Sequence, residues 1–142
     1  MRLDKLTIKA QEALSEAMGR AGEQGHAEIS PLHILGALVE QEGGAVGSIL
    51  QRLGVQASQI KSQVQEAIGR LPRVSGVSAQ PGLGNDASIA LDAAWKAAQG
   101  LKDEYMSTEH MLLGLIEHTK HAAGQILQRA GVTKDAVLKA LK

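Results

Sequence analysis

Apolar residues recur at three- and four-residue steps along most of this chain, which is the spacing of amphipathic α-helices. Eight such stretches follow one another, and their apolar stripes run onwards from Leu6, Ile34, Val46, Ile60, Ala90, Met111, Ile126 and Val137. Small aliphatic residues supply most of the apolar content and phenylalanine is absent, which favours closely packed helices over sheets. The pattern therefore predicts an all-α fold of eight helices.

The eight predicted helices form two sets of four, because the sequence repeats itself at a constant offset of 77 positions. Ser30, His33, Leu35, Leu38 and Glu40 recur as Ser107, His110, Leu112, Leu115 and Glu117. An offset that holds through loops as well as helices indicates that one supersecondary unit was duplicated. We expect residues 1–142 to form one compact domain, with a first repeat over about 1–70 and a second repeat over 85–142. The repeats are expected to pack with pseudo-twofold symmetry, and the seam between them is the expected place for a binding groove.

Local residue chemistry marks the starts of the helices and the boundary between the repeats. Side chains that accept hydrogen bonds precede several apolar stripes, as helix N-caps do. The expected caps are Asp4 or Thr7 for the first helix, Ser30 before Pro31, Asn85 or Asp86 for the fifth helix, Ser107 and Thr133. Residues 71–84 hold proline, glycine and serine without a helical period, which predicts an exposed, mobile linker between the repeats.

Composition excludes several classes of function. Lys plus Arg and Asp plus Glu both number 15, so the formal charge is zero and no basic excess favours nucleic acid or an anionic membrane. The chain has no cysteine, which excludes disulfide and thiolate chemistry. No apolar run approaches the roughly 20 residues of a membrane span, and the first residues lack the apolar core of a signal peptide. We therefore expect a cytoplasmic protein that binds neither nucleic acid nor membrane.

Four stretches of the sequence resemble one known family. They are LTIKAQEAL at residues 6–14, QEGGAVGSIL at 41–50, GRLPRVSG at 69–76 and EYMSTEHMLLGL at 104–115. Together and in this order they resemble the Clp N-terminal repeat, which precedes the ATPase modules of the Clp unfoldases, and LPRVSG is most similar to the ClpB-type disaggregases. The resemblance implies an isolated domain that is monomeric, and a parent that is a homohexameric, ATP-driven ring acting on unfolded or aggregated protein.

The chain itself shows no pattern typical of an enzyme. No G-x-x-x-x-G-K-[ST] stretch occurs, so by the resemblance ATP and Mg²⁺ belong to other parts of the parent, and no cofactor is expected here. Asp103 and Glu109 lie on one short segment, whereas acid–base catalysis needs two carboxylates facing each other across a pocket. His118 and His121 are three residues apart, but zinc requires three or four ligands, so no metal site is predicted.

The resemblance implies that three polar residues, Thr7, Asp103 and Glu109, handle substrate. Thr7 and Glu109 also have a simpler explanation, since Thr7 can cap a helix and a carboxylate near a helix N-terminus contributes roughly 0.3–1 kcal/mol. Asp103 lies before the cap, so this explanation suits it less well. As a site, Asp103 and Glu109 form an acidic rim that selects segments mixing apolar and basic residues. Leu14 and Leu91, which are equivalent in the repeat, are expected to line the apolar groove, although their stripe must also pack the bundle.

The leading hypothesis is a non-enzymatic module that recruits exposed apolar segments of unfolded or aggregated proteins to the ring. The alternative is a domain that docks an adaptor or a degradation tag on a protease-linked unfoldase of the ClpC or ClpA kind. Relatives that recognise phosphorylated arginine resemble one another in a Thr-Glu-His stretch present in both repeats. This chain has Glu109 in the second repeat but Leu32 at the equivalent place, which disfavours symmetric recognition of that tag. A third hypothesis is a spacer that regulates the ring without touching substrate.

Overall fold

The computed structural model describes residues 3–73 and 81–142. Within these ranges the chain forms eight α-helices, which confirms the all-α fold expected from the sequence. The helices are α1 (Ile8–Glu23), α2 (Pro31–Glu40), α3 (Ala45–Arg52), α4 (Ala57–Gly69), α5 (Asn85–Gly100), α6 (Thr108–Glu117), α7 (Ala122–Arg129) and α8 (Lys134–Ala140). A short 3-10 turn (Leu3–Lys5) precedes α1, and two short strands, β1 (Glu28–Ile29) and β2 (Gly82–Leu83), pair in parallel.

The offset of the sequence reappears in the boundaries of the helices. α1 spans residues 8–23 and α5 spans residues 85–100, so both ends are displaced by the same number of residues. The same is true of α2 with α6 and of α3 with α7. Gly54 and Gly131, which follow equivalent helices, have φ of 72° and 83°, the left-handed conformation that glycine adopts after a helix. The two repeats therefore follow the same path, including the turns.

Backbone pairing joins the two repeats at the seam. Ile29 of the first repeat pairs with Leu83 of the second in the β1–β2 pair, and Leu6 forms a parallel bridge with Met106. Leu6 is equivalent to Leu83 and Ile29 is equivalent to Met106, so each pairing becomes the other when the repeats are exchanged. A backbone hydrogen bond of 3.0 Å supports each pairing. This exchanged arrangement gives the domain its pseudo-twofold symmetry.

The core consists almost entirely of aliphatic side chains, and α5 and α6 approach each other closely within it. Alanines line the buried faces of α1 and α5, which lets the neighbouring helices approach. At Gly114 of α6, an added Cβ would lie 2.8 Å from the backbone nitrogen of Ala94. The equivalent residue of α2 is Ala37, which is also buried. The first repeat therefore leaves room for a methyl group that the second repeat lacks.

The predicted linker, residues 71–84, is partly structured where it is described. Residues 74–80 lie outside the described part of the chain. Pro81 is buried, and Gly82–Leu83 forms β2 against the first repeat. The last residues of this segment therefore belong to the folded seam, because β2 pairs with β1 directly before α5 begins.

The N-caps agree with the sequence prediction except at α5. The predicted residues stand at four cap positions, namely Thr7, Ser30, Ser107 and Thr133. The prediction of Asn85 or Asp86 for α5 is wrong, because the cap residue is Gly84. The carboxylate of Glu28 fills the space in which a Cβ of Gly84 would lie, with the carboxyl carbon 2.6 Å away. A residue from the other repeat therefore packs against this cap, and a side chain at position 84 would require the Glu28 carboxylate to move.

Candidate functional site

The start of α6 holds a hydrogen-bonded network of four polar residues. The backbone N–H of Ser107 donates to Nδ1 of His110 at 2.9 Å. Because Nδ1 accepts, Nε2 carries the ring proton and donates it to Oδ2 of Asp103 at 2.8 Å. The hydroxyl of Ser107 donates to Oε1 of Glu109 at 2.5 Å. The buried imidazole therefore ties an exposed carboxylate to the first turn of α6.

This network does not provide an activated nucleophile, although it joins a serine, a histidine and an aspartate. Nucleophilic catalysis needs an imidazole nitrogen that is free to take the hydroxyl proton. Oγ of Ser107 lies 2.9 Å from Nδ1 of His110, but that nitrogen already accepts the backbone N–H. The hydroxyl proton is directed to Glu109 instead. The network therefore fixes the backbone at the helix start, as a capping arrangement does.

The first repeat has an equivalent network with two of the four residues changed, His26 for Asp103 and Leu32 for Glu109. The N–H of Ser30 donates to Nδ1 of His33 at 2.9 Å, and Nε2 of His33 donates to Nδ1 of His26 at 3.0 Å. Burial, together with nearby His26 and Arg20, lowers the pKa of His33 to about 4. Burial and the charge of Arg73 lower the pKa of His26. The first repeat therefore encloses a neutral histidine pair where the second repeat exposes an aspartate.

Thr7 lies beside the α6 network, across the seam. Its hydroxyl accepts the backbone N–H of Ala10 at 3.1 Å, as the N-cap of α1. Its own N–H donates to the carbonyl of Met106 at 3.0 Å, next to the start of α6. The fold thus brings Thr7 to the same end of the molecule as Asp103 and Glu109. Their role in binding stays a prediction.

Replacing Thr7 with alanine is expected to lower the free energy of unfolding by about 1 kcal/mol, because the N–H of Ala10 loses its acceptor. Thr7→Ser retains the hydroxyl and is the matched control. Urea denaturation of both variants measures the difference. Equal stability of Thr7→Ala and Thr7→Ser would contradict a capping role and leave Thr7 free for another one.

Two exposed apolar residues that the sequence pattern does not single out flank these polar residues. The side chains of Ile8 and Tyr105 are 74% and 47% exposed, and each lies within two residues of the bridge at the seam. Their counterparts in the repeat are polar, Asn85 for Ile8 and Glu28 for Tyr105. The sequence signal that identifies Ile8 and Tyr105 is the difference between each residue and its polar counterpart in the other repeat. We call the surface formed by Thr7, Ile8, Asp103, Tyr105 and Glu109 the seam patch.

The two leucines expected to line a groove lie in different surroundings. Leu91 on α5 is only 1% exposed and lies in the core. Leu14 on α1 is half-buried and packs against that core. Equivalence in the repeat fixes the helix face of these residues but not what packs over that face. In this conformation Leu91 packs α5 against the core. Contact of either leucine with a ligand stays a prediction.

An open groove of about 670 Å³ lies between α5, the end of α6 and α8. Its walls are apolar and its edges carry charges of both signs. The apolar residues are Ile89, Ala93, Ala97, Leu101, Leu113 and Leu138, and the ionisable ones are Asp92, Lys96, Glu117, His118 and Lys134. Ile89 and Leu101 are 41% and 43% exposed. We call this surface the second-repeat groove.

The equivalent surface of the first repeat is covered by ion pairs. There Arg20 binds both Glu16 and Glu40, and Nζ of Lys61 lies 2.6 Å from Oε1 of Glu40. The second repeat keeps one of these four charged residues, since Glu40 corresponds to Glu117. The other three become apolar: Glu16 corresponds to Ala93, Arg20 to Ala97 and Lys61 to Leu138. The same scaffold therefore presents a charged surface in one copy and an apolar groove in the other.

The ranges that the structure describes contain no group of three or more His, Cys, Asp or Glu side chains placed to hold a metal ion. His121 instead caps α7, because its Nδ1 accepts the N–H of Gly124 at 3.2 Å. Among the helices of these same ranges, none is long and apolar enough to cross a bilayer.

The sequence and this fold together decide the family. Residues 5–140 match the Clp repeat (R) N-terminal domain. The chain belongs to this family. A chaperone protein ClpB from Rhodopirellula baltica is 39% identical to it over 140 residues, which cover 99% of this chain and 16% of that protein. This Clp N-terminal domain thus spans about a sixth of the length of the ClpB proteins to which it is similar.

Solved structures share the fold of this Clp N-terminal domain. The Hsp104 N-terminal domain from Candida albicans has a TM-score of 0.82 and 22% identity, covering 96% of this chain and 88% of that one. A complex of a ClpV N-domain with a VipB peptide has a TM-score of 0.71 and 19% identity, covering 89% of this chain and 79% of that one. At these identities the likeness establishes the fold alone.

Proposed function

We propose that this Clp N-terminal domain is a non-catalytic module that recruits apolar segments of unfolded or aggregated proteins. One observation carries the proposal. In the described chain five large apolar side chains are exposed, and four of them have polar counterparts in the other repeat. The four pairs are Ile8 with Asn85, Ile89 with Glu12, Leu101 with Gln24, and Tyr105 with Glu28. Because the scaffold folds with polar residues at these places, folding does not require the apolar ones, and their grouping in two surfaces supports binding.

The seam patch and the second-repeat groove are each proposed to contact a different part of a bound segment. The seam patch offers Ile8 and Tyr105 to apolar side chains, with Thr7, Asp103 and Glu109 as its polar border. The second-repeat groove offers a longer apolar floor, and Leu101 lies in the same α5–α6 loop as Asp103. Leu14 and Leu91 act from beneath, by holding α1 and α5 in position.

Binding to these surfaces should be weak, because they are open and shallow and little area is buried on contact. We expect dissociation constants in the micromolar range or weaker. In the proposed parent, a cytoplasmic homohexamer driven by ATP and Mg²⁺, several copies of the domain raise the apparent affinity through effective concentration. Weak individual contacts also let a segment pass on to the ATPase modules.

Exchanging apolar residues for their repeat counterparts tests the proposal. Ile8→Asn with Tyr105→Glu alters the seam patch, and Ile89→Glu with Leu101→Gln alters the groove. Each double variant is expected to keep its fold and to weaken binding of an unfolded, apolar-rich client by about three- to tenfold, because apolar contact area is lost. Amide NMR titration of the isotope-labelled domain measures the affinity.

Leu141, the fifth exposed apolar residue, lies in neither surface and provides the matched control. Leu141→Gln is expected to bind the client as the unaltered domain does. Client affinity that stays unchanged in both double variants would refute recruitment through these surfaces. An unaltered domain whose spectrum does not change at near-millimolar client would refute direct recruitment altogether.

A second candidate function is the docking of one adaptor or tag, favoured by the VipB peptide in the complex with a ClpV N-domain. Phosphoarginine is the less suitable tag, because Leu32, buried in the core, stands where the second repeat has Glu109. Titration with free phosphoarginine separates the two functions. A recruitment surface leaves the spectrum unchanged, whereas saturable shifts around Glu109 would favour tag docking.

A further inference from the structure

The second-repeat groove retains a carboxylate whose partners in the first repeat are cations. In the first repeat Glu40 binds the guanidinium of Arg20 and the ammonium of Lys61, and its side chain is only 23% exposed. Arg20 also lies close to Gly36, since a guanidinium nitrogen is 3.5 Å from the position of an added Cβ. An arginine side chain supplied by α1 therefore fills this surface of the first repeat.

In the second repeat the carboxylate persists as Glu117, but both cations are replaced by apolar residues, Ala97 and Leu138. The cation nearest to Glu117 in the described ion pairs is Lys134, whose Nζ lies 3.8 Å away. Both side chains of this pair are more than half exposed, so it contributes little and is easily displaced. Glu117 therefore stands at the edge of an apolar groove without the close cation that its counterpart has.

We propose that the second-repeat groove binds peptide segments in which one arginine is flanked by aliphatic residues. This inference rests on the proposed recruitment function and names the class of segment that the groove prefers. Leu113 stands where the first repeat has Gly36, so the guanidinium approaches Glu117 from the open side of the groove. It displaces Lys134 because it forms two parallel hydrogen bonds with a carboxylate. The aliphatic neighbours pack on Ile89 and Leu101 and exclude water. The bound segment thus supplies the arginine that the second repeat itself lacks.

The remaining charges of the groove limit the preference to a single arginine. Lys96 on α5 and Lys134 on α8 border the same space as Asp92 and Glu117. These four formal charges cancel, so a polybasic segment gains no net attraction and its additional cations meet the lysines. The groove therefore favours an aliphatic segment with one arginine over a polybasic segment.

Two short aliphatic peptides test the inference, identical except that one has a central arginine and the other its neutral isostere citrulline. In amide NMR titrations of the domain, the arginine peptide is expected to bind about three- to tenfold more tightly. Glu117→Gln is expected to abolish that difference. Ala97→Arg with Leu138→Lys installs the two cations of the first repeat and is expected to block both peptides.

Glu66 provides a matched control, because it is an exposed carboxylate of α4 that also forms an ion pair, with Arg70. Glu66→Gln is expected to retain the preference for arginine. Equal affinity of the unaltered domain for the two peptides would overturn arginine recognition while leaving recruitment intact. Full preference retained by Glu117→Gln would overturn it in the same way. If neither peptide shifts groove resonances at millimolar concentration, recruitment by this groove is overturned as well.

Discussion

Replacing Gly114 with alanine is expected to lower the free energy of unfolding by about 2–3 kcal/mol, because α5 and α6 touch there. An added Cβ would lie 2.8 Å from the nitrogen and 3.0 Å from the Cβ of Ala94, and closer still to the carbonyl oxygen of Ala90. Backbone atoms of a helix cannot rotate aside as the end of a side chain can. The two helices must therefore separate, which loosens the packing around them.

Gly19→Ala is the control for this substitution, because Gly19 is also within a helix but has no heavy atom within 4 Å of an added Cβ. It is expected to raise stability by about 0.5–1 kcal/mol, through helix propensity and a less flexible unfolded chain. Thermal unfolding should place Gly114→Ala about 5–10 °C below the unaltered domain. If Gly114→Ala and the unaltered domain had equal melting temperatures, α5 and α6 would not approach as closely as described.

The helices and their duplication could be predicted because each leaves a direct pattern in the sequence. The periodicity of the apolar residues predicts each helix, and the hydroxyl residues at Ser30, Ser107 and Thr133 mark three of the starts. A duplicated sequence also predicts a duplicated path, which the equal helix boundaries confirm. The periodicity and the caps depend on residues within one or two helical turns of each other, whereas the duplication is found by comparing the sequence with itself at one constant offset.

The candidate site could not be predicted in the same way, because exposure depends on contacts between distant segments. Leu14 and Leu91 occupy equivalent positions on the same helix face, yet Leu14 is half-buried and Leu91 is only 1% exposed. The cap of α5 is Gly84, against which Glu28 of the other repeat packs. Periodicity shows which residues share a helix face, but it does not show which element packs over that face. The differences between equivalent positions carry the missing information, since the scaffold at those positions is the same.

Acidification is expected to destabilise the domain by about 3 kcal/mol through His33 alone. Its pKa is lowered from 6.5 to about 4 by burial, by His26 and by Arg20. The unfolded chain therefore binds more protons than the folded chain between these values. Stability is fully present above pH 6.5 and falls as the pH decreases towards about 4. His26 and His121, whose pKa values burial also lowers, act in the same direction.

His26→Asp tests this origin of acid sensitivity, because Asp103 stands at the equivalent place of the second repeat. A carboxylate beside His33 favours the imidazolium and raises its pKa, so the loss of stability between pH 6.5 and 4.5 should fall to roughly half. Ala27→Asp adds a carboxylate at the adjacent exposed position and should keep the original slope. Urea denaturation across this pH range measures all three slopes. Parallel slopes for the three proteins would show that the acid sensitivity arises outside the buried histidine pair.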